Sequence, residues 1–321
     1  MKLGVLTVPL QAMPAREAFA YLSGLGVETV ELGTGGYTND NHLRPSEYLD
    51  NPAKIEEYKA MLKEYNLEIS ALSCHGNPVH PDKKTAEGYH KVFVDTCRLA
   101  QMLGVDTVIT FSGCPGDCEE SKRPNWVTCA WPNEYGEILE WQWNEVLIPY
   151  WKKAAEIAQS YGVKKIAFEM HPGFCVYNPA TLLRLREAVG DIIGANFDPS
   201  HLIWQGIDPV AALRELKGAV YHFHAKDTRV DRHNTAVNGV LDTRSFTDMY
   251  NRSWVFRTVG YGSDVKLWKD MISTLMLIGY DGAVSIEHED GLMSPREGLE
   301  KAVAFLKEII ISEQPEAMWW A

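Results

Sequence analysis

Short runs of apolar and β-branched residues recur along the chain, and most lead into a stretch whose apolar positions fall at helical spacing. Eight stand out: Leu3–Val8, Thr29–Leu32, Ile69–Cys74, Thr107–Phe111, Lys165–His171, Ile193–Asp198, Ala219–His224 and Ala283–Glu287. Their length and composition predict strands. Several helix starts are marked by capping side chains. Asn178-Pro179, Asp208-Pro209 and Ser294-Pro295 each set a capping residue before a proline at the first helical position. Glu297, three residues after Ser294, completes a capping box. Gly190 and Gly218 read as helix stops. In the last helix Leu299, Val303, Leu306 and Ile310 form a stripe at helical spacing, which is core packing. This alternation predicts a parallel sheet, and eight units in 321 residues favour a single-domain (β/α)8 barrel over residues 1–321. An open doubly wound sheet fits less well, because no G-x-G-x-x-G turn follows the first strand.

Two strand-to-helix connections, after the fourth and seventh strands, are too long to be plain loops, and both fall on the face where barrel enzymes do their chemistry. The first, about Ser112 to Trp143, carries Cys114, Cys118, Cys129, Trp126, Trp131, Trp141 and Trp143. The cysteine spacing matches no common zinc pattern. The aromatic residues fit either a substrate wall or the loop's own small core. The second, about Thr228 to Asp264, holds Arg229, Asp231, Arg232, His233, Arg244, Arg252 and Arg257. It reads as a lid or as the arm of a homo-oligomer. The apolar Met318-Trp319-Trp320 at the chain end is expected to dock on the barrel or on a partner subunit.

Composition narrows the function classes. A net charge of −12 argues against a broad phosphate-backbone surface, so no nucleic-acid partner is expected. No apolar run approaches the ~18 residues of a membrane span. Met1-Lys2 leads straight into a strand with no signal peptide, and the six cysteines form no C-x-x-C pair, which points to reduced thiols in the cytoplasm.

The candidate chemistry sits at four strand ends. The fifth to eighth runs finish on Glu169, Asp198, His224 and Glu287. Side chains alternate faces along a strand, and the neighbours Phe168, Met170, Phe197, Phe223 and Ile286 belong to the opposite, apolar set. An acid or histidine aimed inward at four successive strand ends is costly in a core and well suited to a divalent cation. Three carboxylates and one imidazole suit Mn²⁺, Mg²⁺ or Co²⁺ more than thiolate-loving zinc. Such an ion chelates a carbonyl oxygen and a neighbouring hydroxyl and acidifies the C–H between them, so that a carboxylate can remove the proton. Lys226 shares the parity of His224 and is placed to neutralise an oxyanion or to pair with Asp227 or Glu289. His75, His171 and His222 share the inward parity of their strands, either as substrate contacts or as barrel hydrogen bonders. Arg229 is a further candidate substrate contact. His42, His80 and His90 read as loop or helix-surface histidines.

EMHP at 169–172, FDPSH at 197–201, HFHAKD at 222–227 and SIEHED at 285–290 resemble the xylose-isomerase-like barrel superfamily of sugar phosphate isomerases and epimerases. GVETVELG near the start and SALSCHGNPVHP at 70–81 resemble it too. The resemblance implies an ion on Glu169, Asp198, His224 and Glu287, with His201 facing substrate. It implies Glu169 and Glu287 as the proton-transfer pair. The acidic stretch Glu287, His288, Glu289 and Asp290 would repel a phosphate, so a neutral sugar, inosose or glycoside fits better. Two rivals share the scaffold. One is a lyase that cleaves 3-keto-glycosides by β-elimination after the same proton abstraction. The other is an endonuclease IV-like repair enzyme, which Asp231-Arg232-His233 resembles. Phe111-Ser112 stands where that family needs a histidine, and the acidic chain argues against it.

Overall fold

Each of the eight runs becomes a strand, within two residues of the expected bounds. The structure, a computed structural model, describes residues 1–313 and 316–321. The strands are β1 (Lys2–Leu6), β2 (Thr29–Gly33), β3 (Glu68–Ser73), β4 (Thr107–Thr110), β5 (Lys165–Glu169), β6 (Ile193–Phe197) and β7 (Val220–Ala225). Two extra strands, β8 (Asp227–Val230) and β9 (Trp254–Arg257), precede the last barrel strand, β10 (Ala283–Ile286). The barrel closes in the order β1-β10-β7-β6-β5-β4-β3-β2, with parallel pairing such as Leu3 opposite Val284 at the seam. This is the (β/α)8 barrel that the alternation predicts.

The two faces of each strand have separate fates. Outward side chains such as Ile166, Phe168, Phe197, Phe223 and Ile286 are buried in the main core between barrel and helices. The barrel interior holds only a small apolar cluster of Ala71, Ile109 and Ala167, with Tyr221 packed against it. Tyr221 occupies space that only a glycine leaves, since a Cβ on Gly194 would come within 2.3 Å of its ring. Toward the C-terminal ends the interior turns polar, with Glu31, Ser73, Asn196, His222 and Ser285 all buried. The mouth is therefore not packed as an apolar core.

Helix ends follow the caps, with one exception. Asn178 forms a full capping box with Thr181, and Asp208 accepts from Val210 and Ala211. Ser294 accepts from the Glu297 amide, but the Glu297 carboxylate turns to Lys301 at 2.6 Å, so only half of the expected box forms. The stripe on the helix Pro295–Ile309 is buried at Leu299, Val303 and Leu306. Among the described residues no helix is long and apolar enough to cross a membrane.

The two insertions divide in character. In the first, the helix begins at Asn133, sooner than the sequence suggests, and runs on through a π-helical turn, Gln142–Leu147, into Ile148–Ser160. Gln142 Nε2 donates to the carbonyls of Gly116 and Asn125 at 2.8 and 2.6 Å and holds the loop against the helix. Trp143 is buried beneath the Arg184 guanidinium, Trp126 meets Tyr177 edge-on, and Trp131 is 75 % exposed. Trp143 is thus part of the main core between barrel and helices, while Trp131 faces solvent. Cys118 and Cys129 are exposed while Cys114 is buried, and among the described residues no group with metal-ligand spacing includes a cysteine.

The second insertion is an antiparallel hairpin, Asp227 opposite Arg257 and Val230 opposite Trp254, with a short helix Arg232–Asn238 between its strands. One of its roots is a carboxylate. Asp227 Oδ2 accepts from the amides of Gly260, Gly262 and Ser263 and from Trp268 Nε1, all at 3.0 to 3.1 Å, while Oδ1 accepts from Thr228. Met318, Trp319 and Trp320 are 64 %, 89 % and 69 % exposed, so the chain end does not dock on the barrel as expected.

Removing the Asp227 carboxylate leaves several buried N–H donors without an acceptor. Asp227→Ala should lower unfolding stability by about 3 kcal/mol and make the stretch 231–253 the first site of limited proteolysis. Wild-type urea midpoint and cleavage pattern together would rule out this anchoring role.

Candidate metal centre

Glu169 closes β5, Glu287 follows β10, and His224 lies next to last in β7, so strand pleat turns all three inward at the barrel mouth. Asp198 arrives differently. It follows β6 as the N-cap of the helix Pro199–Trp204, where Oδ1 accepts the Ser200 amide at 2.8 Å. One oxygen is fixed by the cap and the other, Oδ2, is turned inward. His201, three residues on and so on the same helix face, reaches Asp198 Oδ2 at 3.3 Å and Glu169 Oε1 at 3.1 Å.

The four sequence-predicted ligands converge, with one ligand atom from each lying within 4.8 Å of all the others. His224 Nδ1 stands 2.8 Å from Glu287 Oε2 and 3.3 Å from Glu169 Oε2. Asp198 Oδ2, His224 Nδ1 and Glu287 Oε2 are buried, yet none has a hydrogen-bond partner of acceptable geometry. Buried polar atoms are rarely left so. Three inward-aimed atoms of the kind that ligate divalent cations, all unsatisfied, fit a metal ion.

A second group of similar spacing, Glu31, His222 and His224, does not share that signature. Glu31 accepts from His224 Nε2 at 2.9 and 3.0 Å, from Ser285 at 2.9 Å and from Ser73. His222 is bonded through both nitrogens, to Asn196 and Ser70. These residues satisfy one another. Glu31 thereby fixes Nε2 of His224 as the protonated nitrogen and leaves Nδ1 facing the four-residue group. The sequence reading passed over Glu31. Its signal was an acid at inward parity between Val30 and Leu32, one residue short of the strand end where ligands were sought.

The electrostatics follow from burying so many carboxylates. Burial would raise Glu31, but the imidazoles of His224 and His222 bring it down to about 2. Burial opposes ionisation of Glu169 as well, and the imidazoles of His201, His224 and His75 around its oxygens hold it well below the usual range. Glu287, desolvated but facing Lys226, also comes to about 2. Asp198 is the exception: desolvation outweighs His201 and Lys226 and pushes it up to about 6. His224 would be lowered by burial, but Glu31 and Glu287 hold it well above the ordinary histidine value. Lys226 is likewise desolvated, and Glu287 and Glu289, at 3.1 and 2.6 Å, hold its pKa well above normal.

Above this group opens a chamber of about 130 Å³, lined among others by His75, Phe111, Glu169, His171, Lys226 and Glu287. His75, His171 and Lys226 therefore stand where substrate contacts were expected. His75 bonds Glu169 Oε2 at 2.9 Å. His171 is desolvated and beside His201, which lowers it to about 3. His201 lies deeper, only 1 % exposed, and contacts carboxylates instead of facing open space. His222 is buried in the barrel interior. Arg229 is not brought here: it is exposed and lines two cavities of the second insertion, about 670 and 710 Å³, that include none of the four converging residues. Its place on the hairpin turns it away, a direction no local pattern encodes. Phe256, also of the hairpin, is marked by no local pattern in the sequence. Its ring lies 4.3 Å from Lys226 Nζ and 5.3 Å from the His201 ring.

Other expectations resolve simply. His42 is 5 % exposed and bonds the Met13 carbonyl at 3.0 Å, so it is a core histidine and not a surface one. Asp231 caps the helix Arg232–Asn238 through the Asn234 amide, and His233 is exposed. Asp290 accepts from Arg257 and from the Thr258 amide and hydroxyl, all within 3.0 Å. That acid ties the hairpin to the barrel.

A barrel with carboxylates and imidazoles gathered at its C-terminal mouth defines a recognisable class, and comparison with known proteins agrees. The chain belongs to the xylose isomerase-like TIM barrel family, whose model matches residues 19–309. It is 42 % identical over 312 residues, 97 % of this chain and 99 % of the other, to YfiH of Bacillus subtilis (strain 168), an uncharacterised protein. The rhizopine catabolism protein MocC of Rhizobium meliloti is 30 % identical over 241 residues, 74 % of this chain and 68 % of MocC. An inosose dehydratase of Geobacillus kaustophilus (strain HTA426) is 24 % identical over 54 % of each chain. Among solved structures, the IolI protein with a binding zinc atom superposes with a TM-score of 0.66 at 18 % identity, covering 97 % of this chain and 98 % of IolI. A D-tagatose 3-epimerase-like protein gives 0.63 at 20 % identity over 96 % and 98 %. These last two likenesses establish the fold.

Two outcomes follow from the geometry. Glu31→Ala should weaken divalent-metal affinity by about 10- to 100-fold while leaving the barrel folded, as read by competition with a chelating dye. An unchanged affinity would show that Glu31 does not orient a ligand. Because the Asp198 carboxyl binds its proton near pH 6, metal uptake should weaken as pH falls through that value and recover above it. Equal affinity on both sides would remove Asp198 from the ligand set.

Proposed function

We propose that this chain is a divalent-metal-dependent enzyme that removes a proton next to the carbonyl of a keto sugar, with isomerisation or epimerisation as the outcome. The observation that carries the reading is the convergence of Glu169, Asp198, His224 and Glu287 with three unsatisfied ligand-type atoms at the floor of an open chamber. The oxygen-rich set favours Mn²⁺, with Mg²⁺, Co²⁺ or Zn²⁺ as alternatives. When bound, the ion supplies Lewis-acid polarisation of a carbonyl and the neighbouring hydroxyl.

The remaining work falls to side chains. Glu169 and Glu287 both line the chamber and are both held ionised, so each is able to accept a proton. They come from β5 and β10, which are separated around the barrel by β6 and β7, and so reach a substrate from different sectors of the mouth. One removes the proton as a carboxylate. The other, having first taken a proton from water, delivers it to the opposite face and inverts the centre. A carbonyl shift instead needs the first carboxylate to return its proton to the neighbouring carbon, while the hydroxyl proton passes to the former carbonyl oxygen. Lys226 is a buried ammonium beside Glu287 and offsets negative charge that develops on oxygen. His75 orients Glu169. His171, kept neutral by burial, offers a hydrogen bond to a hydroxyl without adding charge.

A second reading keeps the same first step and ends in elimination, as in a lyase acting on a 3-keto-glycoside. The inosose dehydratases among the relatives favour it, since loss of water also follows proton abstraction. A phosphodiester substrate is poorly supported, because Glu287 and Glu289 line the chamber and the chain is strongly acidic.

Reaction in D₂O should introduce deuterium at one carbon of the true substrate. EDTA should stop the exchange and Mn²⁺ or Co²⁺ should restore it. Glu169→Gln and Glu287→Gln should each reduce turnover at least about 1,000-fold with circular dichroism unchanged. Substantial turnover in either metal-loaded variant would sink the assignment. Conversion without deuterium uptake, and without a primary isotope effect from a C–²H substrate, would remove proton abstraction altogether.

A further inference from the structure

Next to the small chamber lies a second one of about 440 Å³, and the two share His171 and Glu289 as lining residues. Apart from those two, its walls are Phe246, Met249, Val255, Phe256 and Gly291. Four of these come from the hairpin insertion, and all four are apolar. Phe246 and Phe256 lie nearly parallel, with ring centroids 5.9 Å apart and planes within 12°. Arg252, buried behind them, packs its guanidinium 4.1 Å from the Phe246 ring and 4.6 Å from Trp254.

Two arguments say what this chamber takes. Ligand pockets usually span about 300–1,000 Å³. The metal-side chamber, at about 130 Å³, falls below that range and the joined pair falls within it. The chemistry of the walls is the second argument. Sugar hydroxyls placed among Phe246, Met249 and Val255 would lose their hydrogen bonds to water without replacement. Glu289 at the shared border opposes a negative charge. An uncharged, flat, apolar group meets neither penalty and extends the Phe246–Phe256 pair by offset stacking.

We propose that the second chamber binds an uncharged aromatic substituent attached to the sugar, so that the substrate is an aryl glycoside whose ring carries the ketone, and not a free monosaccharide. The inference rests on the proposed function for where the sugar ring sits. The hairpin is then the specificity wall of the enzyme, with Phe246 and Met249 its principal contacts. Gly291 keeps the chamber open, since a Cβ there would come within 2.8 Å of Met249 Sδ.

The test is calorimetric titration of the full chain with phenyl β-D-glucopyranoside and with methyl β-D-glucopyranoside, in Mn²⁺ and again in EDTA. The phenyl compound should bind at least about tenfold more tightly, and the preference should survive in EDTA. Phe246→Ser combined with Met249→Ser should bring the affinity ratio close to one. Gly291→Val should do the same by filling the chamber. Phe246 is 59 % exposed, so its replacement spares the fold. Equal affinity for the two glycosides in the wild type, no binding of the phenyl compound, or a preference that survives both variants would each overturn the inference. Failure of the metal reading has a different signature: deuterium exchange and metal binding vanish while the phenyl preference persists.

Discussion

The imidazole of His224 is clamped between carboxylates on both edges, and the architecture of the mouth depends on that clamp. Glu31 holds one nitrogen from below, and Glu169 and Glu287 face the other from above. Taking an ionised carboxylate out of water costs several kcal/mol even after relaxation, and this mouth buries Glu31, Glu169 and Asp198 and partly buries Glu287 beside them. They are tolerable only because His224, His201, His75 and Lys226 are threaded among them. Each of these four side chains touches at least one acid, and His224 touches three. The barrel makes this possible by bringing β2, β5, β7 and β10 to one axis. Loss of any one of these strands would leave an uncompensated charge.

The same arrangement explains what was legible in the sequence. An acid or histidine in a run of apolar residues is visible because strand pleat has a period of two, and Glu169, His224 and Glu287 obey it. Asp198 carried a second signal that went unused, since Asp-Pro is also a helix start, and one oxygen caps while the other points inward. Glu31 obeyed the pleat too and was missed, because it sits within its strand and ligates nothing directly in the arrangement seen. Arg229, Phe246 and Phe256 illustrate the limit. Their surroundings depend on how a hairpin folds back over the mouth, which rests on contacts such as Asp227 with Gly260 and Trp268, far apart in sequence. The tryptophans of the first insertion failed as a substrate signal for a related reason. Aromatic content says that something will be buried, and contacts distant in sequence decide what: Trp143 packs into the main core under Arg184, while Trp131 stays exposed.

Chemistry and recognition are drawn from different parts of the chain. The candidate ligands stand at the ends of strands packed on both sides, where position is set by the barrel. The apolar walls stand on an insertion held to the barrel through Asp227, Asp290 and Phe256. Relatives under a quarter identical share the first part as a fold, with TM-scores above 0.6.

Lys226 and Asp227 are neighbours on the chain with opposite orientations. One enters the mouth among the acids, and the other gathers the returning amides of the hairpin. A loop rooted on the two carboxylates of Asp227 and Asp290 behaves like a plug in a socket. Any replacement whose return limb offers amides at the same spacing would seat in it, whatever its length or surface. The strand ends that carry the candidate ligands would not move in the exchange. On the proposed reading, selectivity is therefore free to change by swapping a cassette, while the reaction remains with the frame.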